Sequence, residues 1–382
     1  RLIAFDNDDL IECAVLVKNA RMGHIDRVAI PRNSLDVLAQ ALVGMSIERV
    51  WKADEAYAMV RRAHPYRDLT RDDFDSVLRY LGGLEMEDIY SKLWYDQEKG
   101  EFGRKKGGRM IYYLNSGTIP DEADYQVFSD RGRHLGKLSE KFVERLSARD
   151  VFVLGGRTYE FMRARGTKVF VKDATGRRPT VPSWTGEMLP RSFDLSMAVG
   201  HFRGELDEAL RGGTKDDVAE WLENDYFLDA DAAGDIAAYA SEQMALAGFL
   251  PSDRTLCVES YADDRGQRHA IFHFPFGRRV NDALARGYAS LLSRKLKANV
   301  KVSVIDDAFI VTAAKPFDAK WLVTALKSSD FEALLRSAIM GTELYKQRFR
   351  HVAGRSFLVL RNYMGREISV SRQQMRSQRI ME

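Results

Sequence analysis

The stretch KADEAYAMVRRAHPYRDLTRDDFDSVLRYLGG, residues 52–83, decides the fold of the first part of the chain. Apolar residues recur at helical spacing in residues 52–63 and predict a helix, which ends before Pro65 because proline lacks the N–H that a continuing helix needs. Thr70 and Asp73 form a capping pattern in front of a second helix, and a glycine pair ends that helix. Its predicted buried face consists of Phe74, Val77, Leu78 and Leu81.

The flanking sequence completes this pattern. NSLDVLAQALVGMS, residues 33–46, has apolar side chains at helical spacing and predicts an earlier helix. After the two helices, the basic loop GRKKGG (residues 103–108) leads into MIYYLNSGTIP (residues 110–120), whose composition predicts a strand. Three short helices, a basic loop and a strand are the order of a winged-helix domain.

In the rest of the chain, the spacing of apolar residues changes first from helical to strand-like. Residues 124–201 contain several strand-like segments around short turns and predict a small barrel or curled sheet. A hairpin, a long helix, two strands and two helices complete the chain, the last helix covering residues 343–363. Residues 203–250 read as acidic helices, whose expected buried members are Trp221, Leu222, Tyr226 and Phe227.

Bulk properties limit the class of protein. The 382 residues allow two or three domains, and the opening RLIAF reads as a buried strand without a partner, which predicts a piece of a longer polypeptide. Cys13 and Cys257 lie far apart, so the sequence predicts neither a disulfide framework nor a zinc site and indicates a reducing, cytoplasmic setting. No apolar run is long enough to cross a membrane and no signal peptide opens the chain, so no membrane contact is expected.

Charge is unevenly distributed along the chain. Residues 103–178 contain 17 Lys and Arg against nine acidic residues, and residues 345–382 contain nine against two. Residues 205–253, in contrast, contain 13 acidic residues and two basic ones. Because a phosphate backbone responds to the local field, the two basic stretches indicate nucleic-acid binding more strongly than the small net charge does.

Catalytic motifs are missing from the sequence. No GxxxxGK[ST] loop occurs, so GRKKGG is interpreted as a wing or loop that contacts phosphate and not as a nucleotide site. Neither paired metal-ligand spacing nor a local nucleophile motif is present. Asp306 and Asp307, at a strand end, are either acid/base groups or a helix cap or turn, and the cap or turn is favoured.

The last predicted helix combines an apolar stripe with flanking cations. The stripe is expected to be buried and the cations to reach outward, where neutralising phosphates releases condensed counterions. A merely solubilising surface is the alternative. The stripe consists of Phe349, Val352, Ala353 and Leu360, and the cations are Lys346, Arg348, Arg350, Arg355 and Arg361.

Two further segments are candidates for contact with nucleic acid. In PTVPSWTGEMLP, residues 179–190, prolines stiffen the chain around Trp184, whose indole is either a base-stacking platform or a plug in a barrel end. SGTIP, residues 116–120, is either a strand end with Ile119 buried, the favoured interpretation, or a tight turn that holds Ile119 and Thr118 against a sugar edge.

Several long blocks resemble the large helicase-related (Lhr) family of superfamily 2 helicases, of archaeal type. They are IPRNSLDVLAQALVGM, AYAMVRRAHPYRDLTRDDFDSVLRYL, SGTIPD, PTVPSWTGEMLPRS, FPFGRRVNDALARGYASLLSRKL and FRHVAGRSFLVLRNYMGREISVSRQQMRSQ. The resemblance covers nearly the whole chain and implies an α+β fold without a complete RecA-like domain. It implies the tail of the second RecA-like domain over residues 1–25, a winged helix over 26–120 and a fourth domain over 121–382. That fourth domain would be barrel-like over 121–202, helical over 203–253 and α/β over 254–382.

The resemblance also implies a function. The family comprises ATP-dependent 3′-to-5′ helicases that act on DNA and RNA–DNA hybrids and are linked to DNA repair. The ATP and Mg²⁺ sites belong to motor domains outside this chain, which would therefore hold no cofactor and bind single-stranded or forked DNA passively beside those domains. The candidate contact residues are Trp184, Ile119, Thr118, Lys105, Lys106, Arg109, Arg278, Arg279, Arg348, Arg350, Arg355 and Arg361.

Two other functions remain open. A winged helix with a barrel also resembles certain DNA glycosylases, which need a base pocket and a group that positions water. A surface that only docks the motor domains or another protein is the third possibility, with Trp51, Trp94 or the acidic segment as its contact. The glycosylase candidates are Gln373, Gln374, Asp306 and Asp307.

Overall fold

The computed structural model describes residues 2–84, 90–119, 124–143, 146, 149–177, 190–264, 266–340 and 342–381. The chain folds into two compact units. Unit 1 comprises residues 1–28 and 187–339, and unit 2 comprises residues 29–186 and 340–382. The chain therefore enters unit 2 after its first helix, leaves it near residue 187 and returns to it for its last 43 residues.

Within the described residues, helices and strands occur in separate runs and nearly all strand pairs are antiparallel, so the fold is of the α+β class. The helices are α1 (Asn7–Arg21), α2 (Leu35–Glu48), α3 (Ala53–Arg61), α4 (Arg71–Gly82), α5 (Gly108–Asn115), α6 (Glu140–Val143), α7 (Phe193–Gly212), α8 (Lys215–Tyr226), α9 (Ala230–Ala247), α10 (Arg278–Leu296), α11 (Ala319–Ala325), α12 (Ser328–Ile339), α13 (Glu343–Arg355) and α14 (Val370–Met381). The strands are β1 (Trp51–Lys52), β2 (Leu93–Asp96), β3 (Glu101–Arg104), β4 (Asp124–Ser129), β5 (His134–Ser139), β6 (Val151–Leu154), β7 (Arg157–Arg165), β8 (Lys168–Asp173), β9 (Cys257–Ala262), β10 (Arg268–His273), β11 (Val300–Val304), β12 (Ala308–Ala313), β13 (Asn362–Tyr363) and β14 (Arg366–Glu367).

Unit 2 begins with the winged-helix order of elements. α2, β1, α3, α4, β2 and β3 follow one another, and β3 lies between β1 and β2 in an antiparallel sheet. The predicted cap of α4 is confirmed, since Thr70 Oγ1 accepts from the N–H of Asp73 at 3.1 Å. The predicted apolar face of α4 is confirmed as well, and it packs in one core with α2 and β3. The fully buried residues of this core include Leu38, Leu42, Phe74, Leu78, Leu81 and Phe102.

The segment after the basic loop differs from the prediction. MIYYLN lies in helix α5 and not in a strand, although its β-branched and aromatic residues favour a strand. Ile111 and Tyr112 pack against the winged-helix core, and this tertiary packing overrides the intrinsic preference. The wing is the β2–β3 hairpin, so the turn at residues 97–100 forms its tip and GRKKGG follows it.

The strands of residues 124–173 are confirmed, and they form one five-stranded sheet. The order is β5-β4-β8-β7-β6, with β4 and β8 parallel and the other pairs antiparallel. A Cβ built on Gly136 in β5 would lie 3.6 Å from Leu154 Cδ2 in β6, so the sheet curls until its end strands are neighbours. The curl agrees with the barrel or curled sheet expected here; closure into a barrel stays a prediction.

The C-terminal part of unit 2 returns to the winged helix. α13 ends at Arg355, earlier than predicted, because Phe357 adopts a left-handed backbone (φ 60°) that an α-helix cannot continue. Phe357 is fully buried in the winged-helix core, which offsets the strain of that conformation. Leu360 therefore lies outside the helix, and Val352, expected in the buried stripe, is 43% exposed. The chain continues through the β13–β14 hairpin into α14.

Unit 1 combines a helical bundle with an α/β part. Helices α1, α7, α8 and α9 share one core, as the acidic segment predicts, although Phe227 is exposed. RLIAF is not a buried strand, since Phe5 is 90% exposed and residues 2–4 lie outside any strand. The predicted domain limits stay predictions, although α7 runs through residue 202 without a break.

The α/β part of unit 1 contains a four-stranded antiparallel sheet. Its order is β11-β12-β10-β9, which confirms the predicted hairpin and strands. The predicted long helix, α10, packs with one face of the sheet through Phe272, Phe309 and Tyr288, whose rings stack. Within the ranges that the structure describes, no helix is both long and apolar enough to cross a membrane.

Candidate nucleic-acid interface

The two units carry opposite charge. Unit 2 contains 36 Lys and Arg against 26 Asp and Glu, a formal charge of +10, and unit 1 contains 22 against 29, a formal charge of −7. Folding therefore gathers the two basic stretches of the sequence, residues 103–178 and 345–382, into one unit. A surface of this sign attracts polyanions, so unit 2 is the unit suited to bind nucleic acid.

A short segment after α5, residues 115–119, is held from two sides. Gln40 of α2 pairs with the backbone of Gly117, since its Nε2 donates to the carbonyl at 3.2 Å and its Oε1 accepts from the N–H at 2.9 Å. Gly117 has φ +124°, and a Cβ there would lie 3.3 Å from Arg361 Nη2. Glycine is favoured at this position because a side chain would strain the backbone angle and would push the guanidinium of Arg361 away by a few tenths of an ångström.

Arg361 holds the other side of the segment. Its guanidinium donates to the carbonyls of Asn115 and Ser116, both at 2.8 Å, and to that of Ile119 at 3.3 Å. The buried Asn115 side chain accepts from the N–H groups of Arg361 and Asn362, both at 2.7 Å. Residues 115–119 are thereby fixed against the chain beyond α13.

This clamp presents Ile119 to solvent. The side chain of Ile119 is 84% exposed, and Thr118 beside it is exposed as well. The favoured sequence interpretation, a strand end with Ile119 buried, is therefore wrong. An exposed apolar side chain on a segment held in this way is suited to contact the sugar and base of a strand.

The cations of the last helix behave differently from one another. Arg350 is buried (3% exposed) and its Nη2 lies 2.9 and 2.8 Å from the two oxygens of the equally buried Glu140, so the expectation that it reaches outward is wrong. Arg355 is half-buried and pairs with Asp36 at 2.6 Å. Arg348 is exposed, as expected. Among these cations, Arg350, Arg355 and Arg361 have structural contacts that hold unit 2 together.

These arginines surround a small cavity of about 20 Å³. The cavity is too small for a nucleobase, which would need a pocket several times larger. Gln373, one of the glycosylase candidates, lines it and donates through Nε2 to the carbonyl of Ile368 at 2.8 Å. Gln374 is also buried. The cavity is lined by Gly117, Ile119, Arg350, His351, Gly354, Arg355, Arg361 and Gln373.

Cations and an aromatic ring meet next to the wing. Tyr90 is 56% exposed, and Lys105 Nζ and Lys92 Nζ lie 4.9 and 5.3 Å from its ring centroid. Burial of Lys92 and, after it, the charge of Lys105 lower the pKa of Lys92 to about 8. Lys92 is buried and its Nζ donates to the carbonyl of Tyr90 at 2.6 Å, so of these two cations only the half-buried Lys105 could contact a phosphate, whose charge would favour the protonated form of Lys92. Lys106, the next residue of the basic loop, is exposed.

Helix α5 adds a second exposed ring. Tyr113 is 65% exposed, and the guanidinium of Arg109, one turn earlier, lies 5.7 Å from its centroid. Met110 and Leu114 are exposed on the same helix. Unit 2 therefore has two exposed tyrosines, each with a cation near its ring. This is the composition of a surface that stacks bases and neutralises phosphates.

The remaining candidates lie elsewhere. Trp184 falls within residues 178–189, outside the described residues. Arg278 and Arg279 belong to the N-terminus of α10 in unit 1, where Arg278 is half-buried and Arg279 is exposed. Trp51, considered for docking, is buried in the winged-helix core, and Trp94 is 38% exposed.

The paired carboxylates Asp306 and Asp307 have structural partners. Asp306 Oδ1 accepts from the backbone N–H groups of Arg191 and Arg278 at 3.1 and 3.0 Å, which fits the turn or cap interpretation. Asp307 pairs with the guanidinium groups of Arg191 and Arg203. Burial alone would raise the pKa of Asp307, but these two cations lower it, so the carboxylate is ionised. Asp307 also lines a cavity of about 360 Å³ in unit 1.

Sequence reasoning missed several members of the candidate interface. Tyr90 and Lys92 could have been found, because a basic residue among aromatics stands close to GRKKGG in the sequence. Tyr113 becomes visible once MIYYLN is read as a helix, which places it one turn after Arg109. Gln40 and Asn115 gave no local signal, since each contacts a partner distant in sequence.

Known proteins resemble this chain over almost its entire length. Two family models match: "Large helicase-related protein, winged helix domain" over residues 18–181 and "DEAD/H associated" over residues 250–382. The "ATP-dependent helicase Lhr-Core protein 2" of Thermococcus barophilus is 44% identical over 100% of the chain, which spans 44% of that protein. The "Lhr helicase/uracil glycosylase" of Escherichia coli is 30% identical over 98% of the chain, which spans 25% of that protein.

A solved structure is similar as well. The structure of Mycobacterium smegmatis helicase Lhr bound to ssDNA and AMP-PNP matches 98% of the chain with a TM-score of 0.74 and 25% sequence identity. The chain spans 43% of that protein. It therefore spans less than half the length of each of these relatives.

Proposed function

The chain belongs to the large helicase-related (Lhr) family, and on this premise we propose that it is the part of an ATP-dependent helicase that binds the tracking single strand. The charge of +10 on unit 2, in contrast to −7 on unit 1, is the observation that carries the proposal. The ssDNA in the similar mycobacterial structure supports it. ATP hydrolysis would belong to other parts of such a protein, and this chain alone would bind without unwinding.

Specific roles follow for the residues of unit 2. The clamped Ile119 would contact the sugar path, Tyr90 and Tyr113 would meet bases, and Lys105, Lys106 and Arg109 would contact phosphates. Trp184 would supply a further stacking platform, worth about 1–3 kcal/mol per base. Within the whole protein, this part would guide the strand of a 3′-to-5′ translocase that acts on DNA and RNA–DNA hybrids in DNA repair.

Binding of a fluorescent single-stranded oligonucleotide, measured by anisotropy over a salt series, tests the proposal. Affinity should fall with salt, with a logarithmic slope of about −0.7 for each neutralised phosphate. Ile119→Ala should weaken binding, whereas Leu246→Ala should not, because Leu246 is equally exposed (87%) but lies on α9 of the acidic unit. No measurable binding at low salt, or equal effects of the two variants, would contradict the proposal.

A glycosylase is the second candidate function. The cavity of about 360 Å³ in unit 1 is large enough for a nucleobase and contains the ionised Asp307 together with Arg203, Tyr239 and Gln243. The name of the Escherichia coli relative includes uracil glycosylase, although the chain spans only 25% of that protein. The test is the appearance of abasic sites in uracil-containing oligonucleotides at stoichiometric protein. Product lost in Asp307→Asn would support this function, and no product would exclude it.

A further inference from the structure

The second face of the unit 1 sheet brings together three metal-binding side chains. Cys257 and His273 are directly opposite one another in the β9–β10 pairing. Glu259 follows Cys257 by two residues on the edge strand and therefore points to the same face. One ligand atom from each residue can be chosen so that all three lie within 4.8 Å of one another.

We propose that Cys257, Glu259 and His273 bind a divalent transition-metal ion of the zinc class. Thiolate, imidazole and carboxylate are the ligands that Zn²⁺ takes in proteins, and hard ions such as Mg²⁺ and Ca²⁺ avoid thiolates. The site is independent of the strand-binding surface, since all three residues belong to unit 1. Sequence spacing could not reveal it, because only the strand pairing brings His273 to the Cys-x-Glu pair.

The distances agree with such a site. His273 Nε2 and Glu259 Oε2 are 3.4 Å apart. Bond lengths of about 2.0–2.3 Å in a tetrahedral site place neighbouring ligand atoms roughly 3.3–3.7 Å apart. One pair of ligand atoms is therefore at the separation that a tetrahedral site needs, and all three ligand atoms lie within 4.8 Å of one another.

The bonding of His273 agrees with a bound ion. Its Nε2 is buried and makes no hydrogen bond of acceptable geometry within the described part of the chain, despite the nearby Glu259 oxygen. Buried nitrogen atoms usually have a partner. An ion between the imidazole, the carboxylate and the thiolate would supply one.

A neighbouring histidine on the same strand, His269, has an equally buried Nε2 that is likewise unbonded among the described residues, so the thiolate is what distinguishes the proposed site. His269 lies on the same face of β10, and its Nε2 is likewise 3.4 Å from a carboxylate, that of Asp263. The residue opposite His269 is Tyr261, whose ring stacks on the imidazole with 4.6 Å between the ring centroids. The Nδ1 atom of His269 is hydrogen-bonded to Thr312 Oγ1 at 2.9 Å. His269 therefore lacks a thiolate and is a matched control.

The position of the triad suggests how a bound ion would be used. Three protein ligands leave a fourth position for water or a substrate, as in catalytic zinc sites, whereas structural sites have four protein ligands. His273 also lines the cavity of about 360 Å³, whose other polar residues include Tyr239, Gln243 and Ser303. A metal ion here would stand at the border of a cavity that can hold a small polar molecule.

Cobalt spectroscopy on the untagged, metal-stripped full chain tests the site. Co²⁺ should bind at one equivalent with a thiolate-to-cobalt charge-transfer band, and Zn²⁺ should displace it and abolish the band. Cys257→Ser should remove the band, and Cys13→Ser, which changes the other cysteine of the chain, should keep it. His273→Asn should weaken binding at least roughly tenfold, the scale seen even for loss of an outer partner, and His269→Asn should leave it unchanged.

The outcomes that overturn the proposal are equally specific. The site does not exist if saturating Co²⁺ produces no thiolate band in the parent chain. It is misassigned if the band survives Cys257→Ser, or if His269→Asn weakens binding as much as His273→Asn. Circular dichroism of each variant shows whether the fold is retained, and the two histidine variants keep the test decisive if Cys257→Ser does not fold.

Discussion

Replacing Arg361 with lysine separates the positioning of Ile119 from the charge beside it. Arg361 donates to three carbonyls through a planar fork, at 2.8, 2.8 and 3.3 Å. A lysine ammonium keeps the positive charge but presents its donors from one point, so it cannot span the same carbonyls. Residues 115–119 would lose at least one or two of these bonds, each worth about 1 kcal/mol net.

The expected effect is a loss of single-strand affinity without a change in salt dependence. Because Ile119 must then be ordered on binding, the lost one to two kcal/mol should appear as an approximately 5- to 30-fold larger dissociation constant. The salt slope should stay the same, since Arg361 contacts backbone carbonyls and the total charge is unchanged. Arg62→Lys is the matched control, on an exposed arginine of the same unit that is not a candidate contact, and should change neither quantity.

Anisotropy titrations at several salt concentrations measure both quantities, and a denaturant titration shows that the variant is folded. Unchanged affinity in Arg361→Lys, together with a clear loss in Ile119→Ala, would refute the clamp. A smaller salt slope in Arg361→Lys would show that Arg361 contacts phosphate directly, and that result would also refute the positioning role.

Single-strand affinity should fall as pH rises through about 8, because Lys92 loses its charge there while a bound phosphate favours the protonated form, so binding takes up a proton. Lys92→Met should remove this dependence in titrations from pH 7 to 9, and its persistence would locate the titrating group elsewhere. Trp184→Ala should weaken binding by about 1–3 kcal/mol, and no change would exclude stacking by that indole. Lys106→Ala should reduce the salt slope by about 0.7, and an unchanged slope would remove Lys106 from the phosphate path. Arg350→Ala should lower the free energy of unfolding by about 3–5 kcal/mol in a denaturant titration, because Glu140 is left charged and buried; a change below about 1 kcal/mol would contradict the buried pair.

The fold was predictable where local signals agree with tertiary packing. Helix α4 has its cap, its apolar face and its stop in one continuous stretch, and the hairpins of residues 124–173 have turn residues between alternating strands. The sequence failed where a distant contact decides the conformation. MIYYLN is helical because its side chains pack on the winged-helix core, and α13 stops early because Phe357 fills that core.

The site was predictable only in part, for a related reason. A positively charged residue can bind phosphate or hold its own protein together, and the sequence does not distinguish the two. Arg350 belongs to the second class because Glu140, 210 positions earlier, lies against it. The basic loop and SGTIP could be identified from the local sequence, and Lys106 and Ile119 within them are exposed in the structure. Gln40 and Arg361, the partners that hold the segment of Ile119, are encoded far away.

The surface that receives the strand can be located directly by photocrosslinking. A single-stranded oligonucleotide carrying a photoreactive pyrimidine, crosslinked to the chain and mapped by mass spectrometry, should label residues of unit 2, above all Tyr90, Tyr113 and Trp184. Adducts confined to unit 1, residues 1–28 and 187–339, would contradict the assignment of the strand to the positively charged unit.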